Sequence, residues 1–326
     1  MVPVAIQRYA FAAVAIILAL AEVRMGSAAD NYPNRPIRLV VGFGAGGPTD
    51  IPARFVADRL GKALGQPVVV ENKPAAGGIV ATRDVIAQPA DGYTLLLCTH
   101  FEAINIAVYR DAGFKVADIA PVSLIAKYYY ALALSNVIPA TNFEQFVAYA
   151  KAHPGEVTYA SVGTGSAQEI IARQLEKLAG VTMNRIPFRG GIQVVQEVVA
   201  GRIDFYVSPT LTIVPQYRSK ELKILAMTSQ ERVASLPEIP ALKEYGINFD
   251  RFGWLGICAA AGTPEPIIKS LHDKIVPIVA SADYRALMDN AGSIAVSSTP
   301  QELGAVMAAT LDDVSASIRE FNIQQE

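Results

Sequence analysis

Ile37-Arg38-Leu39-Val40-Val41-Gly42-Phe43-Gly44-Ala45-Gly46-Gly47-Pro48-Thr49-Asp50 is the stretch on which the reading of this chain turns. Ile37 to Val41 is apolar and mostly β-branched, the composition of a buried strand. A glycine-rich turn follows. Pro48 then opens a periodic segment with Ile51, Phe55, Val56, Leu60 and Leu64 on one side, an amphipathic helix that Gly65 stops. Strand, glycine turn and helix aim free backbone N–H groups and the positive end of a helix dipole at whatever lies beyond the strand. Such a place favours an anion, by roughly 0.3–1 kcal/mol per charge from the dipole. A bound carboxylate is the first expectation here; a nucleotide is the competing one.

The amino terminus does not belong to this folded unit. A basic start at Arg8, the apolar run from Ala10 to Leu20 and the small residues Ser27-Ala28-Ala29 read as a cleaved secretory signal peptide over 1–29. The run is shorter than the ~20 apolar residues of a membrane span. Arg8 is followed by Tyr9, so there is no twin arginine, and no cysteine follows the run to carry a lipid. A periplasmic location is expected.

The chain has 326 residues, 52% hydrophobic and 18% charged, with a formal net charge of -2. That leaves room for two domains of ordinary size after the leader. Removing Arg8, Arg24 and Glu22 with the leader makes the balance one unit more negative. No basic run is present, so nucleic acid finds no electrostatic footprint. Anion capture would have to be local. The two cysteines, Cys98 and Cys258, each lie in an apolar strand-like run. Export would permit a disulfide. The preferred reading is two buried thiols acting as small apolar residues, because strand-centre cysteines rarely meet bridging geometry. With only His100, His153 and His272 besides, no metal site is expected.

Further along, strands are expected at Pro67–Val70, Tyr93–Cys98, Ala120–Ala126, Ala131–Leu134, Thr158–Ala160, Met183–Pro187, Asp204–Ser208, Ile224–Met227 and Gly253–Ala260. Tyr128-Tyr129-Tyr130 separates the third and fourth of these. Helical patterns alternate with the strands, which indicates parallel sheet covered on both faces. Thr141 or Asn142 is placed to cap a helix from Phe143. Ser161-Val162-Gly163-Thr164-Gly165-Ser166 is a second strand–small-residue turn–helix junction. It is followed by a helix with Ile170, Ile171, Leu175 and Leu178 on its apolar face. Thr299-Pro300-Gln301-Glu302 is a capping box that opens the last helix.

Taken alone, Gly42-Phe43-Gly44-Ala45-Gly46-Gly47 satisfies the G-x-G-x-x-G pattern of dinucleotide sites, and Glu71 stands where an acid would bind ribose. The alternative is therefore an exported NAD-dependent oxidoreductase. Against it, the leader removes the chain from the cytoplasmic cofactor pool, and nothing later resembles a hydride-transfer set. There is no G-x-S-x-G, H-E-x-x-H or Walker motif, and no histidine neighbours Ser161 or Ser166 in sequence. No catalytic residues and no cofactor are expected; the chain reads as a binding protein rather than an enzyme.

At these residues the chain resembles the Bug family, the periplasmic solute receptors of tripartite tricarboxylate transporters. The likeness runs through Ile37–Val41, Gly46-Gly47-Pro48-Thr49-Asp50, Gly65 to Asn72, Asp91 to Leu96, Ala103-Ile104-Asn105 and Pro121-Val122-Ser123. It continues with Tyr159-Ala160-Ser161, Gly163 and Gly165, Pro187 to Gly190, and Ala261-Gly262-Thr263-Pro264. Glu71 belongs to that family's own pattern. The resemblance implies an α/β chain of the type II periplasmic binding protein fold, two α/β domains with a ligand cleft between them. The first domain would comprise 30–129 and 252–326, the second 130–251, with a hinge near Tyr130 and Trp254. It implies a small organic acid as ligand, a di- or tricarboxylate or an aromatic acid. It also implies a membrane permease as partner and a monomeric receptor.

By the same resemblance one carboxylate is gripped, partly through water, by Phe43, Gly44, Ala45, Gly46, Gly47 and Thr49 on one lip. Ser161, Gly163, Thr164, Gly165 and Ser166 form the other. For the far end of the solute four exits offer His100 and Phe101, Glu169 at the helix start, Arg189, and Ser208 with Thr210. Arg189 is the fixed cation among them and suits a second carboxylate; the alternative is that it pairs with Glu169 or Glu197. The chain departs from the family where the first turn has Gly42, Gly44 and Ala45 in place of prolines, and where Ala260 replaces a proline. Glu169 stands where a histidine is usual, and it would repel an anion unless it faces away or meets a donor.

Overall fold

The structure is a computed structural model describing residues 31–188 and 190–324. The signal peptide expected over 1–29 and the candidate Arg189 lie outside the described residues.

The chain begins with β1 (Ile37–Val41), followed by α1 (Asp50–Leu64). Gly65 ends α1 at φ 71°, in the left-handed region open to glycine. The helix buries Asp50, Pro52, Ala53, Val56, Ala57 and Leu60. Ile51, expected on that face, is 48% exposed; at about 100° per residue it lies opposite Leu60. Next come β2 (Val68–Asn72), α2 (Ile79–Ile86), β3 (Thr94–Thr99) and α3 (His100–Val108). Thr99 and Glu102 form a reciprocal capping box at the start of α3. β4 (Ile119–Leu134) then runs for 16 residues without a break. Tyr128-Tyr129-Tyr130 is its middle, not a junction, since tyrosine suits a pleated surface with neighbours on both sides.

The inserted part follows: α4 (Phe143–Ala152), capped by Asn142, then β5 (Thr158–Ser161), α5 (Ala167–Ala179), β6 (Asn184–Pro187), α6 (Gly191–Val199), β7 (Phe205–Pro209), α7 (Thr210–Arg218) and β8 (Lys223–Met227). Of the expected α5 face, Ile170, Ile171 and Leu175 are buried and Leu178 is 55% exposed. The chain returns through β9 (Phe252–Ala260), α8 (Glu265–Val279), α9 (Ala282–Asn290), β10 (Ile294–Ala295) and α10 (Pro300–Glu320), the last opened by the Thr299–Glu302 capping box.

The strand order is β2-β1-β3-β9-β4-β7-β5-β6, with β8 and β10 also pairing β4. The β1-β2-β3 set is parallel, as is β5-β6-β7, because helical crossovers return each strand in the same sense. β9 and β4 depart from the expected parallel sheet and pair antiparallel with their neighbours. Along β4 the partner changes within one residue. Tyr129 faces Phe252 of β9, and Tyr130 faces Pro209 of β7. Thr228, just past β8, ties the two passages together. Its hydroxyl accepts from the Tyr130 amide at 2.9 Å and donates to the Arg251 carbonyl at 2.6 Å.

Cys98 and Cys258 form a disulfide, which corrects the free-thiol expectation. β3 and β9 are adjacent antiparallel strands in which Cys98 faces Gly256, so Cys258 is the diagonal neighbour. The Cα atoms are 5.8 Å apart, within the range a bridge requires. The adjacency depends on a strand that arrives 160 residues later.

Candidate binding site

Both glycine turns open at the C-terminal ends of parallel strands, β1 and β5, where α/β sheets place ligands. Each turn is tied to the helix after it by the same device. The Gly46 amide donates to Oδ2 of Asp50 at 2.8 Å, and Nε of Arg54 donates to that oxygen at 2.7 Å. Asn72, at the end of β2, donates to Oδ1 at 2.7 Å. In the second turn the Gly165 amide donates to Oε2 of Glu169 at 3.1 Å. Nε of Arg173 donates to Oε1 at 3.0 Å, and Arg185 of β6 donates to Oε2 at 2.8 Å. Glycine, carboxylate and arginine recur at the same spacing in both copies, with the third partner on the next strand.

This device answers the question raised by Glu169. The carboxylate is buried, its charge met by two arginines and an amide. At Asp50, burial pushes the carboxyl up, but the bonds from Arg54, Asn72 and Gly46 outweigh it and hold it below the usual carboxylate range. The amides of Gly46 and Gly165, expected to meet the solute, are thus engaged by the chain's own acids, and the Gly47 amide donates to the Gly44 carbonyl at 3.3 Å. The amides of Gly44, Ala45, Gly163 and Thr164 donate to no acceptor among the described residues. Two buried hydroxyl oxygens, Thr49 Oγ1 and Ser161 Oγ, also lack a partner among the described residues. Ser166 caps α5, its hydroxyl accepting from the Glu169 amide at 3.3 Å.

α3 lies between the two turns. Phe101 in its first turn packs on Phe43, ring centroids 5.3 Å apart. At its far end Val108 meets Gly165, which has φ 69°; a Cβ there would stand 2.4 Å from Val108 Cγ2, so that position requires glycine. His100 is fastened into the wall. Its Nδ1 is 3.3 Å from the Tyr128 hydroxyl and its Nε2 is 3.1 Å from that of Tyr130. Burial drives its pKa down to about 4, so the ring is neutral at pH 7. Nearby Glu102 is pushed up to about 7 by burial, which the bonds from Thr99 and Thr82 only partly offset.

Of the other distal candidates, the Ser208 hydroxyl donates to the Pro209 carbonyl at 3.3 Å, and Thr210 Oγ1 lies 3.3 Å from Ser293 Oγ. Both are buried. Of the acids named as alternative partners of Arg189, Glu169 bonds Arg173 and Arg185 as above, and Glu197 pairs with Arg202. Glu71, the acid of the dinucleotide reading, bonds Arg38 at 2.9 Å and pairs with Lys73, so it is not poised for a ribose. No group of His, Cys, Asp and Glu among the described residues would hold a metal ion. A surface groove of about 880 Å³ between α3 and α10 includes no residue of either glycine turn.

Among the described residues the buried Tyr206 hydroxyl and Gln168 Oε1 close no hydrogen bond of normal geometry, although Gln168 and Ser208 lie beside the phenol.

Residues 52–323 match the profile described as the tripartite tricarboxylate transporter family receptor. A Cupriavidus necator protein, the UPF0065 protein in the gbd 5' region, is 34% identical over 286 residues, covering 86% of this chain and 85% of its own length. The periplasmic binding protein BugD superposes with a TM-score of 0.81 at 27% identity, over 90% of this chain and 100% of that one. An R. palustris protein solved with adipate gives 0.83 at 26%, over 90% and 99%. These neighbours bear out the α/β architecture of a two-domain periplasmic binding protein.

Proposed function

The chain belongs to the tripartite tricarboxylate transporter receptor family, and from that membership we propose that it captures a small organic carboxylate in the periplasm and presents it to a membrane permease. The leader over 1–29 exports it, and it acts as a monomer without a cofactor. The cleft lies between a lobe of 30–129 with 252–326 and a lobe of 130–251. β4 at Tyr129–Tyr130 and the return before β9 form the hinge, and a ligand bridging both lobes favours the closed form.

The observation that carries this reading is the set of unused donors on the two turns: the amides of Gly44, Ala45, Gly163 and Thr164 with the hydroxyls of Thr49 and Ser161. All are neutral. They hold a carboxylate by charge-assisted hydrogen bonds without a full counter-charge, so the solute can be released again. Arg189 remains the sequence's own candidate for a second carboxylate.

A thermal-shift and calorimetric screen of organic acids and nucleotides tests the proposal. A ligand at 100 times its Kd stabilises by about 2.7 kcal/mol. Saturable binding of acids that weakens by about tenfold or more in Ser161→Ala is expected. Saturable NAD binding with turnover and no response to any acid would restore the oxidoreductase.

A further inference from the structure

On the two-lobe reading above, which assigns α5 to the inserted lobe and α10 to the other, we propose that the last two turns of α10 are a latch on α5. The latch sets how far apart the two glycine turns stand.

α5 starts at the second glycine turn, where Ser166 caps it and Glu169 holds the Gly165 amide. One face of this helix is turned to α10. Ile170, Gln174 and Lys177 stand at i, i+4 and i+7, the spacing of a single helical face. Ile170 is buried in a cluster with Val314 and Ile318 of α10 and with Ile104 and Val108 of α3. The Gln174 carboxamide donates to the Ser317 hydroxyl at 3.5 Å, and the Lys177 ammonium donates to Oε1 of Glu320 at 2.6 Å. The contacts run outward from a buried end to a wet one. Ile170 is 3% exposed, whereas the Lys177 and Glu320 side chains are 67% and 42% exposed.

α10 is anchored at the hinge. Nε1 of Trp254, in β9, donates to the Thr310 hydroxyl at 3.1 Å, and Arg251, just before β9, pairs with Asp313. From Thr310 to Glu320 the helix spans about 15 Å, so it reaches from the return strand to α5.

The other flank of the hinge is built differently. Thr210 of α7 lies 3.3 Å from Ser293, and both are buried. A Cβ on Gly292 would stand 2.8 Å from Val214 Cγ2 and 2.9 Å from Leu236 Cδ1. That contact is close-packed and resists separation. The α5 flank ends in an exposed ion pair, which water and salt can replace. The lobes therefore turn about the α7 side and part at the α5 side, which carries the 161–166 turn away from the 42–49 turn.

The test compares the mature chain with Lys177→Glu and with the double exchange Lys177→Glu/Glu320→Lys. Small-angle scattering without any solute reads the latch alone. Lys177→Glu sets two carboxylates against each other and should raise the radius of gyration; the double exchange should return it towards wild type. Calorimetry with mono- and dicarboxylates should show both classes weakened by about two- to fivefold in Lys177→Glu, the most an exposed pair allows, because fewer chains hold the turns in place. The difference should vanish in 1 M salt, where the screening length is about 3 Å. Trp254, the one tryptophan of the chain, should keep its emission, since the anchored end of α10 does not move. An unchanged radius in Lys177→Glu, or a change that the double exchange does not reverse, would overturn the latch. Faster hydrogen exchange confined to the last turn of α10, with radius and affinity unaltered, would also overturn it, because the ion pair would then only pin a helix end. If the radius responds as expected but no acid binds the wild-type chain, the latch stands and the carboxylate reading falls.

Discussion

The Gly165 amide donates to Oε2 of Glu169, four residues ahead, at 3.1 Å, and in the other half of the molecule Gly46 does the same to Asp50. The positive pole at each strand–turn–helix junction is occupied by a carboxylate of the chain, so each turn is held in shape before any solute arrives. Only the amides that this carboxylate does not reach remain to bind a ligand.

Removing either acid should therefore loosen a turn. Glu169→Gln leaves Arg173 and Arg185 without a counter-charge; both are about a third exposed, so water recovers part of the loss. The expected cost is about 1–3 kcal/mol, below the value for a fully buried pair. Asp50→Asn should behave alike. Urea unfolding measures the stability and calorimetry the accompanying loss of affinity. Midpoints and affinities equal to wild type would show that the turns hold their shape unaided.

Asp50 also predicts an acid limb. Its folded pKa lies below the ordinary value of 3.8. Its contribution is complete above that value and is lost as pH falls through the depressed pKa. The acid-unfolding limb of Asp50→Asn should be shallower than that of wild type.

His100 and Glu102 impose opposite pH dependences from one turn of helix. His100 falls from 6.5 to about 4 on folding, so its neutral form contributes stability that is lost on acidification from 6.5 towards 4. Glu102 rises from 4.5 to about 7, so stability is lost as pH climbs from 4.5 through 7. Each amounts to about 3 kcal/mol at full extent, and together they nearly cancel between pH 4 and 7. In Glu102→Gln stability should fall on acidification, and in His100→Asn it should fall on alkalinisation. Parallel profiles for wild type and both variants would refute this balance.

The Cys98–Cys258 bridge closes a loop that contains the whole inserted part of the chain. Loop-entropy arguments put its contribution at about 5 kcal/mol for so long a loop, and native bridges typically contribute 2–5. The double serine variant should unfold at lower urea by that margin, with little change in acid binding, since neither cysteine belongs to the turns. A midpoint equal to wild type would show that the strands align without the bridge.

Thr228→Val is the test of the tie between the two chain passages. It strands the Tyr130 amide and the Arg251 carbonyl, both of which the threonine hydroxyl serves. A loss of about 1–3 kcal/mol is expected, with faster hydrogen exchange at Tyr130. Unaltered exchange at that amide would mean that Thr228 does not secure the crossing.

The sequence by itself determined the alternation of strands and helices, the Gly65 stop, a cap at Thr141 or Asn142 and one at Thr299, both glycine turns and the family. These follow from local chemistry: branched apolar runs, glycine where φ is positive, and hydroxyls before helices. Even so, the apolar period puts Ile51 and Leu178 on buried faces where the structure exposes them, and the three tyrosines that read as a boundary lie inside one strand. Tertiary structure alone decided which turn amides are already occupied. It also joined Cys98 to Cys258 across 160 residues and enclosed His100 between two tyrosines. The physical reason is that partnership and burial depend on strand register and on elements distant in the chain. Asn72 reaches Asp50 from β2, Arg185 reaches Glu169 from β6, and β9 must return before either cysteine has a neighbour.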